Sequence, residues 1–256
     1  MVRGIDIFKK YFEQYADNYL IIGGTACDLL IDDAGLIPRA TRDIDMILVI
    51  EVLNPKFVKQ FWNFIREGRY EKSEINSEQR KYYRFTKPEN LEFPIQIELF
   101  SRVPDMLTVP EGSHLTPIPV DEDVSSLSAI LLDEPYYKFT LANSLLFNGI
   151  HIANTEELIC LKAKAFLELT QRKAEGENID DKKIKKHKND LFRMVLTLSD
   201  NSIEMPNSIK QDLVNFTEMV KDSLPDDKIF EEMNASPAIT AESLYLELIR
   251  IFQLNK

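Results

Sequence analysis

Apolar and polar segments alternate along the first part of the chain with the spacing of a mixed α/β protein. Residues 19–22 (YLII) are consecutively apolar and predict a short buried strand, which two glycines follow at once. Residues 43–50 (DIDMILVI) predict a second strand, apolar on both faces after its two aspartates and therefore central in a sheet. Between these strands, Thr25–Asp33 predicts a helix that ends before Gly35 and Pro38.

The next segments predict one more helix and a hairpin. Over residues 56–68, aromatic and aliphatic side chains recur on one helical face, and a glycine ends the segment. Residues 81–86 and 93–100 each have the character of a strand, and the turn signal KPEN separates them. We therefore expect two antiparallel strands joined by a turn.

From residue 103 to residue 152 the chain is proline-rich at first and then strand-like. The segments that we interpret as strand-like are LTPIPV, YYKFTLAN (136–143) and LLFNGIHIAN (145–154). Asn148-Gly149 lies between apolar residues, which is a typical signal for a hairpin turn. We expect these segments to extend the sheet or to form a small β appendage that covers one edge of it.

After Asn154 the pattern becomes helical. Asn154 or Thr155 can cap a helix whose apolar residues recur at helical spacing through residue 173. A polar break follows, and prolines separate the later segments. The further predicted helices begin near residue 180 and cover residues 209–222 and 241–254.

These elements predict an α+β fold with two domains. Residues 1–153 are expected to form an α/β domain with a mixed sheet and a β extension. Residues 154–256 are expected to form a helical bundle. A chain of 256 residues that is 44% hydrophobic is long enough for one large core or two modest ones.

Composition then limits the cellular setting. Cys27 and Cys160 are the two cysteines and lie far apart, so they indicate neither a disulfide framework nor a zinc site. No apolar run approaches the roughly 20 residues of a membrane span. The N-terminal segment lacks the apolar core of a secretory signal. We expect a cytoplasmic protein without a membrane partner.

The net charge of −11 limits the partners of the chain. A protein that binds duplex DNA without sequence preference needs a broad basic face, and this chain has no surplus of positive charge to form one. The one dense basic segment is DDKKIKKHKND, residues 180–190. This local basic patch is therefore the only segment through which we expect the chain to contact nucleic acid.

Two aspartates at the start of the second predicted strand are the first chemical signal. Asp43 and Asp45 project from the same side of a strand, roughly 6–7 Å apart, and their charges repel unless a cation lies between them. Mg²⁺ is the favoured ion, with Mn²⁺ as the alternative, because Mg²⁺ is commonly held by one or two carboxylates together with substrate phosphates. The sequence thus predicts a divalent-cation site.

The turn Gly23-Gly24-Thr25 supplies a complementary part. Residues without a Cβ atom let the backbone approach a phosphate closely, and the amides that open the following helix favour an anion. A carboxylate pair beside a phosphate cradle has the outline of a phosphoryl- or nucleotidyl-transfer site. Glu98, on the predicted strand FPIQIELF, shares a face with Gln96 and Phe100 and is the candidate third carboxylate.

The ordered combination of strand, GGT turn, helix and RxTxDID strand resembles the nucleotidyltransferase superfamily that shares its fold with DNA polymerase β. Within that superfamily it looks most similar to the AbiEii/AbiGii-type abortive-infection toxins. The residues that carry this resemblance are Gly23, Gly24, Thr25, Ala26, Arg39, Thr41, Asp43, Ile44 and Asp45. The resemblance implies that the third acid lies on a neighbouring strand, where Glu98 replaces the usual Asp.

The resemblance also implies nucleotide-binding residues outside the acidic pair. In the toxin family, a lysine on one helix and a Lys-Asp-x-x-Asp element on the next complete the nucleotide pocket. Lys162 matches the first, and Lys186 and Asp190 match the second, whereas His187 replaces the usual Asp. Arg39 is expected to contact phosphate or to fix the loop before Asp43.

The resemblance implies a metal-dependent enzyme that transfers a nucleoside monophosphate from an NTP to an acceptor hydroxyl. Asp43, Asp45 and Glu98 are then the catalytic metal ligands, and the glycine turn with Thr25 and Thr41 lies at the nucleotide. The expected acceptor is RNA or protein, and an antitoxin protein is a candidate partner.

Two alternatives remain open from the sequence. A small-molecule nucleotidyltransferase would use the same chemistry on a cationic, antibiotic-like acceptor, which the acidic composition permits. A catalytically silent nucleotide-binding module would keep the pocket without the reaction. The replacements at Glu98 and His187 are the features that favour the silent module.

Overall fold

The chain has an α+β fold with a mixed sheet. The structure is a computed structural model that describes residues 2–72, 82–100, 133–199 and 203–254. It divides into two compact units, and each is described by itself. No helix within the described ranges is long and apolar enough to cross a membrane.

The first unit contains the whole sheet that the described residues form. Its strands are β1 (Tyr19–Ile22), β2 (Asp43–Leu48), β3 (Glu71–Lys72), β4 (Tyr82–Thr86), β5 (Gln96–Phe100), β6 (Ser144–Phe147) and β7 (Ile150–Ala153). They are arranged in the order β3-β4-β5-β2-β1-β7-β6. The pairs β2–β5 and β1–β7 are parallel, and the other neighbours are antiparallel. The prediction of a mixed sheet is confirmed.

Helices of the first unit cover one face of this sheet with aromatic side chains. They are α1 (Ile5–Phe12), a 3-10 helix (Glu13–Asn18) and α3 (Pro55–Gly68), while α2 (Gly23–Asp33) begins directly after β1. Phe8 of α1 lies edge-on to Tyr19 of β1, with ring centroids 5.3 Å apart, and Phe61 of α3 meets Phe85 of β4 at 5.5 Å. Burial of such rings is a main source of stability in this unit.

Strand register assigns the polar residues to the opposite face. Tyr19 and Phe85 lie on the aromatic face, and the register places Asp45 beside Glu98 and Glu98 beside Arg84. Because side chains alternate along each strand, Asp45, Glu98 and Arg84 project from the other side of the sheet. The candidate site is therefore separated from the aromatic core by the sheet itself.

Both predicted hairpins are present. β4 and β5 pair antiparallel, and so do β6 and β7. Asn148 and Gly149 have φ values of 49° and 87°, as a two-residue turn with two left-handed residues requires. The proline-rich segment LTPIPV lies outside the described residues.

The strand-like interpretation of YYKFTLAN is wrong. Residues Glu134–Ala142 form a helix, α4, and the Asp133 side chain caps it by accepting a hydrogen bond from the amide of Tyr136. Proline at the first turn suits a helix start, because its missing N–H would have no partner there. The aromatic residues that suggested a strand instead form the buried side of this helix.

The described part of the second unit is helical. Besides α4 it contains α5 (Thr155–Ala174), α6 (Asp181–Val195), α7 (Asn207–Val220), the short α8 (Lys228–Glu231) and α9 (Ala241–Ile251). Asn154 caps α5 and Asp180 caps α6, each through its side-chain oxygen. The predicted helices after residue 154 are present with ends shifted by a few residues.

The two units are not continuous segments of the chain. Residues 144–153 belong to the sheet unit, and the described residues from 154 onward belong to the helical unit. Residues 29–39 and the described residues 133–143, however, belong to the helical unit. A hydrogen bond explains why residues 133–143 belong there, since Tyr136 of α4 donates to Asp212 of α7 over 2.9 Å.

A carboxylic acid is fully buried in the helical unit. Glu157 of α5 is 0% exposed, and its Oε1 contacts the hydroxyl of Thr140, which donates to the carbonyl of Tyr136 over 2.8 Å. Its Oε2 has no hydrogen-bond partner among the described residues. Burial raises the pKa of Glu157 well above its usual value of 4.5, against a smaller lowering by Thr140.

Replacement of Glu157 by Gln is expected to change the pH dependence of stability. The folded state holds a proton on Glu157 that the unfolded chain releases above about pH 4.5, so wild-type stability falls as pH rises from there toward the folded-state pKa. Glu157→Gln should equal the wild type near pH 4 and exceed it increasingly as pH rises toward the folded-state pKa. Urea unfolding across this range measures the difference. The half-buried neighbour Glu156 supplies the control, because Glu156→Gln makes the same chemical change one position away from the fully buried acid.

Candidate functional site

The first glycine of the GGT turn lies against the second aspartate of β2. Gly23 has φ of +68°, and a Cβ atom at this position would overlap the Asp45 carboxylate. Only glycine fits at this position without strain. A residue with a side chain is unfavourable in the left-handed region, and the Asp45 carboxylate already occupies the space that a Cβ atom would need. The backbone of the turn and the Asp45 side chain therefore form one compact feature.

The helix after this turn begins earlier than the sequence predicted. α2 starts at Gly23 rather than Thr25 and is 11 residues long. The amides of its first turn have no partners within the helix and carry the positive end of the helix dipole. An anion at this end would be close to the Asp45 carboxylate, which is a favourable arrangement when a cation lies between the two negative groups.

Thr25, which follows the two glycines, holds the start of the aspartate strand in place. Thr25 is fully buried, and its hydroxyl donates a 2.6 Å hydrogen bond to the carbonyl of Asp43. This bond uses the one hydrogen of the hydroxyl and ties α2 to the first residue of β2. The nucleotide contact expected of Thr25 stays a prediction. Its observed role is to position the aspartate strand.

Thr41 packs against the second glycine. A Cβ atom on Gly24 would lie 2.8 Å from both Oγ1 and Cγ2 of Thr41. The Thr41 hydroxyl is buried and has no hydrogen-bond partner among the described residues. An orphaned buried hydroxyl beside a glycine turn is the kind of group that a bound phosphate can satisfy.

A double-mutant cycle on Gly24 and Thr41 should reveal this contact. Gly24→Ala alone is expected to lower stability by about 1–3 kcal/mol through overpacking, although alanine usually stabilises a helix. In a Thr41→Ala background the same change should become neutral or stabilising by up to about 1 kcal/mol. Equilibrium urea unfolding of the four proteins measures the coupling. Equal effects of Gly24→Ala in both backgrounds would show that Gly24 and Thr41 are not in contact.

Asp28 is a site residue that the sequence did not reveal. It lies in α2, is 3% exposed, and its Oδ2 accepts a hydrogen bond from the backbone amide of Thr41. It thereby holds the loop that leads into Asp43. The available signal was a carboxylate on an otherwise apolar helix face, next to Cys27 and before Leu29.

The acidic residues share one face of the sheet. Asp45 and Glu98 are register partners on the parallel strands β2 and β5, and Gln96 pairs with Asp43 in the same way. Neighbouring strands lie about 4.8 Å apart, so the acidic side chains start close together. Glu98 thus lies on the strand next to the aspartates, and its role as a third acid stays a prediction.

Glu98 nevertheless has partners of its own. Its Oε1 accepts hydrogen bonds from Arg84 Nε at 2.6 Å and from Gln96 Nε2 at 2.8 Å. Within the described ranges, no three His, Cys, Asp or Glu side chains are grouped so that they could hold a metal ion. The expected metal-binding set of Asp43, Asp45 and Glu98 stays a prediction.

The other predicted site residues meet in the helical unit. Lys162 Nζ of α5 lies 3.4 Å from Asp190 Oδ2 of α6, and Arg39 lies 3.8 Å from the same oxygen. Arg193 contacts Asp190 Oδ1 at 3.2 Å. Three cations thus surround one carboxylate, and Arg193 also lies 3.9 Å from Glu232.

Burial and nearby charges have opposite effects on the pKa of Asp190. Burial raises its pKa, but the nearby charges of Lys162, Arg39, Lys186 and Arg193 outweigh burial and lower the pKa below its usual value of 3.8. Lys186 is exposed and acts on Asp190 through its charge. Asp190 pairs with Lys162, and the contact of these residues with a nucleotide stays a prediction.

The residues of the sheet unit fit a divalent cation and a phosphate. Two carboxylates on one strand face, a glycine cradle with no room for a Cβ atom and the orphaned Thr41 hydroxyl together offer ligands to both groups. A comparison with known protein families finds no match for this chain, and a comparison with curated proteins finds none either.

Proposed function

We propose that the chain is a metal-dependent nucleotidyltransferase, which moves a nucleoside monophosphate from an NTP to an acceptor hydroxyl. The observation that carries this proposal is the contact between the left-handed Gly23 and the Asp45 carboxylate at the start of α2. Because the glycine turn and Asp45 lie together, they support the proposal of a phosphate bound beside a cation. The RxTxDID resemblance points to the same chemistry.

The proposed roles follow from what each group can bind. The amides at the start of α2 bind the terminal phosphates of the nucleotide, and the Thr41 hydroxyl donates to the same group. Asp43 and Asp45 would hold the divalent ion, which when bound neutralises charge on the phosphates and on the departing pyrophosphate. Asp28 and Thr25 keep the loop and the strand of the aspartates in place.

In the helical unit, we propose that the cluster around Asp190 binds an anionic group. Lys162 and Arg39 both lie within 4 Å of the Asp190 carboxylate, and the charge of Lys186 acts on the same group. A phosphate group carries the charge that suits such a cluster of cations. Lys162, Arg39, Lys186 and Asp190 thus remain candidates for nucleotide binding.

Labelled nucleotides test the proposed reaction. The protein is incubated with Mg²⁺ or Mn²⁺, an NTP labelled at either the α- or the γ-phosphate, and total tRNA, protein extract or small amines. Nucleotidyl transfer moves only the α-label to the acceptor and releases pyrophosphate. Transfer of the γ-label, or labelling that persists in EDTA, would exclude the proposed reaction. The acceptor that gains label also distinguishes a toxin-like enzyme from a small-molecule transferase.

A silent nucleotide-binding module is the second candidate. The ion pair between Arg84 and Glu98 favours it, because that pair engages the carboxylate expected to complete the catalytic set. NTP binding by calorimetry, with no transfer to any acceptor class and no release of pyrophosphate, would support this candidate. An antitoxin partner would appear as a protein whose coexpression suppresses the α-labelling.

A further inference from the structure

One side of helix α6 carries three exposed lysines, which we call the lysine face. Lys185 and Lys186 come three and four residues after Lys182, so the three side chains lie on the same side of the helix. All three residues are exposed, and none of them forms an ion pair with another described residue. The lysine face is therefore a positively charged surface in a chain whose net charge is −11.

The two acids at the beginning of α6 have other partners. Asp180 caps the helix, since its Oδ1 accepts a hydrogen bond from the Lys182 amide over 2.9 Å. Asp181 contacts the side-chain ammonium of Lys173 on α5. Neither carboxylate pairs with a side chain of the lysine face, so the ammonium groups of this face are available to an external anion.

The lysine face leads toward the cationic cluster around Asp190. Lys186 lies one helical turn before Asp190 on α6, and Lys162 and Arg39 lie within 4 Å of the Asp190 carboxylate. All of these residues belong to the helical unit. A row of phosphates along the lysine face would thus extend toward the cluster for which we propose nucleotide binding.

The chemistry of the lysine face favours a nucleic acid over a protein. The large exposed apolar side chains described in the helical unit are Ile37, Met219 and Leu246, and none of them lies on α6. The buried centre of a protein–protein interface is usually apolar, whereas a phosphate backbone can bind to cations through charge. A polyanion of phosphates therefore fits this surface better than an acidic protein does.

We propose that the lysine face binds the phosphate backbone of a single-stranded RNA and that RNA is the acceptor class of the proposed transfer. A single strand fits because the face extends only about 6 Å along the helix axis. RNA carries a hydroxyl on every nucleotide, as an acceptor of this reaction requires. The acceptor assignment rests on the proposed function, whereas the binding surface can be tested without it.

Fluorescence anisotropy with labelled oligouridine tests the surface. Lys182→Gln/Lys185→Gln should weaken RNA binding at least about fivefold at low salt. It should also reduce the slope of log affinity against log salt by about 1.4, because each phosphate contact with a single strand contributes about 0.7. NTP affinity should not change. The control Lys138→Gln/Lys228→Gln removes the same charge from exposed positions outside α6 and should bind RNA as the wild type does.

Several results would overturn the RNA-binding surface. Equal weakening in the two double variants would show that total charge, rather than the lysine face, governs binding. Tighter binding of polyglutamate than of oligouridine, or no binding of oligouridine by the wild type at low salt, would exclude it as well. Each measurement uses the full chain, and circular dichroism establishes that both double variants are folded.

Transfer of an α-labelled NTP tests RNA as the acceptor class. We expect RNA to gain the label, and Lys182→Gln/Lys185→Gln to raise the KM for RNA at least about fivefold with kcat unchanged. Labelling of protein or small amines without labelling of RNA would overturn the acceptor assignment. A wild-type protein that binds oligouridine but labels no acceptor would instead remove the proposed function, and the RNA-binding surface would stand.

Discussion

Asp45→Asn is expected to lower nucleotidyl transfer by about a thousandfold or more while the protein stays folded. A divalent ion stabilises charge in such reactions by several kcal/mol, and each 1.36 kcal/mol corresponds to a factor of ten in rate. Loss of one of two ligands to the ion should remove most of that stabilisation. Initial rates of α-label transfer at saturating Mg²⁺ measure the effect.

The melting temperature of Asp45→Asn gives an independent test of the same assignment. Asparagine has the shape of aspartate and removes one of two like charges on a strand face, so the melting temperature should stay close to the wild-type value or rise. Asp17→Asn makes the same chemical change at an exposed position of the first unit and should leave transfer unchanged. Transfer by Asp45→Asn at more than a tenth of the wild-type rate would rule out the metal-ligand assignment.

Gly23→Ala should remove both stability and nucleotide binding. An alanine at φ of +68° carries a left-handed strain of about 1–2 kcal/mol, and its Cβ atom must in addition displace the Asp45 carboxylate. Overpacking of this kind adds about 1–3 kcal/mol. We therefore expect a loss of about 2–5 kcal/mol in unfolding free energy. NTP affinity measured by calorimetry below the melting temperature should fall at least tenfold.

Gly35 provides a matched control for this substitution. It also has a left-handed backbone, with φ of +75°, but a Cβ atom there would meet nothing within 4 Å. Gly35→Ala should lose only the backbone contribution of about 1–2 kcal/mol and should bind NTP as the wild type does. Similar losses of stability and of NTP affinity in the two variants would show that the Asp45 contact has no special role.

Local patterns made the candidate site predictable. The order of apolar strand, glycine turn and acidic strand start uses neighbouring residues, and the alternation of a strand places Asp43 and Asp45 on one side whatever the rest of the fold does. Asn148-Gly149 is similarly local, because its left-handed conformations select the turn without help from distant residues.

Pairings between distant segments could not be predicted in this way. The partner of Glu98 is Arg84 because β4 and β5 pair in one particular register, and a shift of one residue would place the arginine on the other face. The same applies to Asp28, whose role depends on where the amide of Thr41 lies in space. Helix α4 was missed because its aromatic residues favour strands, whereas the preceding Asp133 decides the local structure by capping.

The hydroxyl of Thr25 has a consequence for how a ligand would be received. Its hydrogen bond to Asp43 joins the beginning of a helix to the beginning of a strand, so the two segments are set in relation to each other when the chain folds. A ligand arriving there would find its contacts already arranged, and less of its intrinsic affinity would be spent on ordering loops. A ligand at this end of the sheet would then bind to a preformed site, with little rearrangement of the surrounding loops.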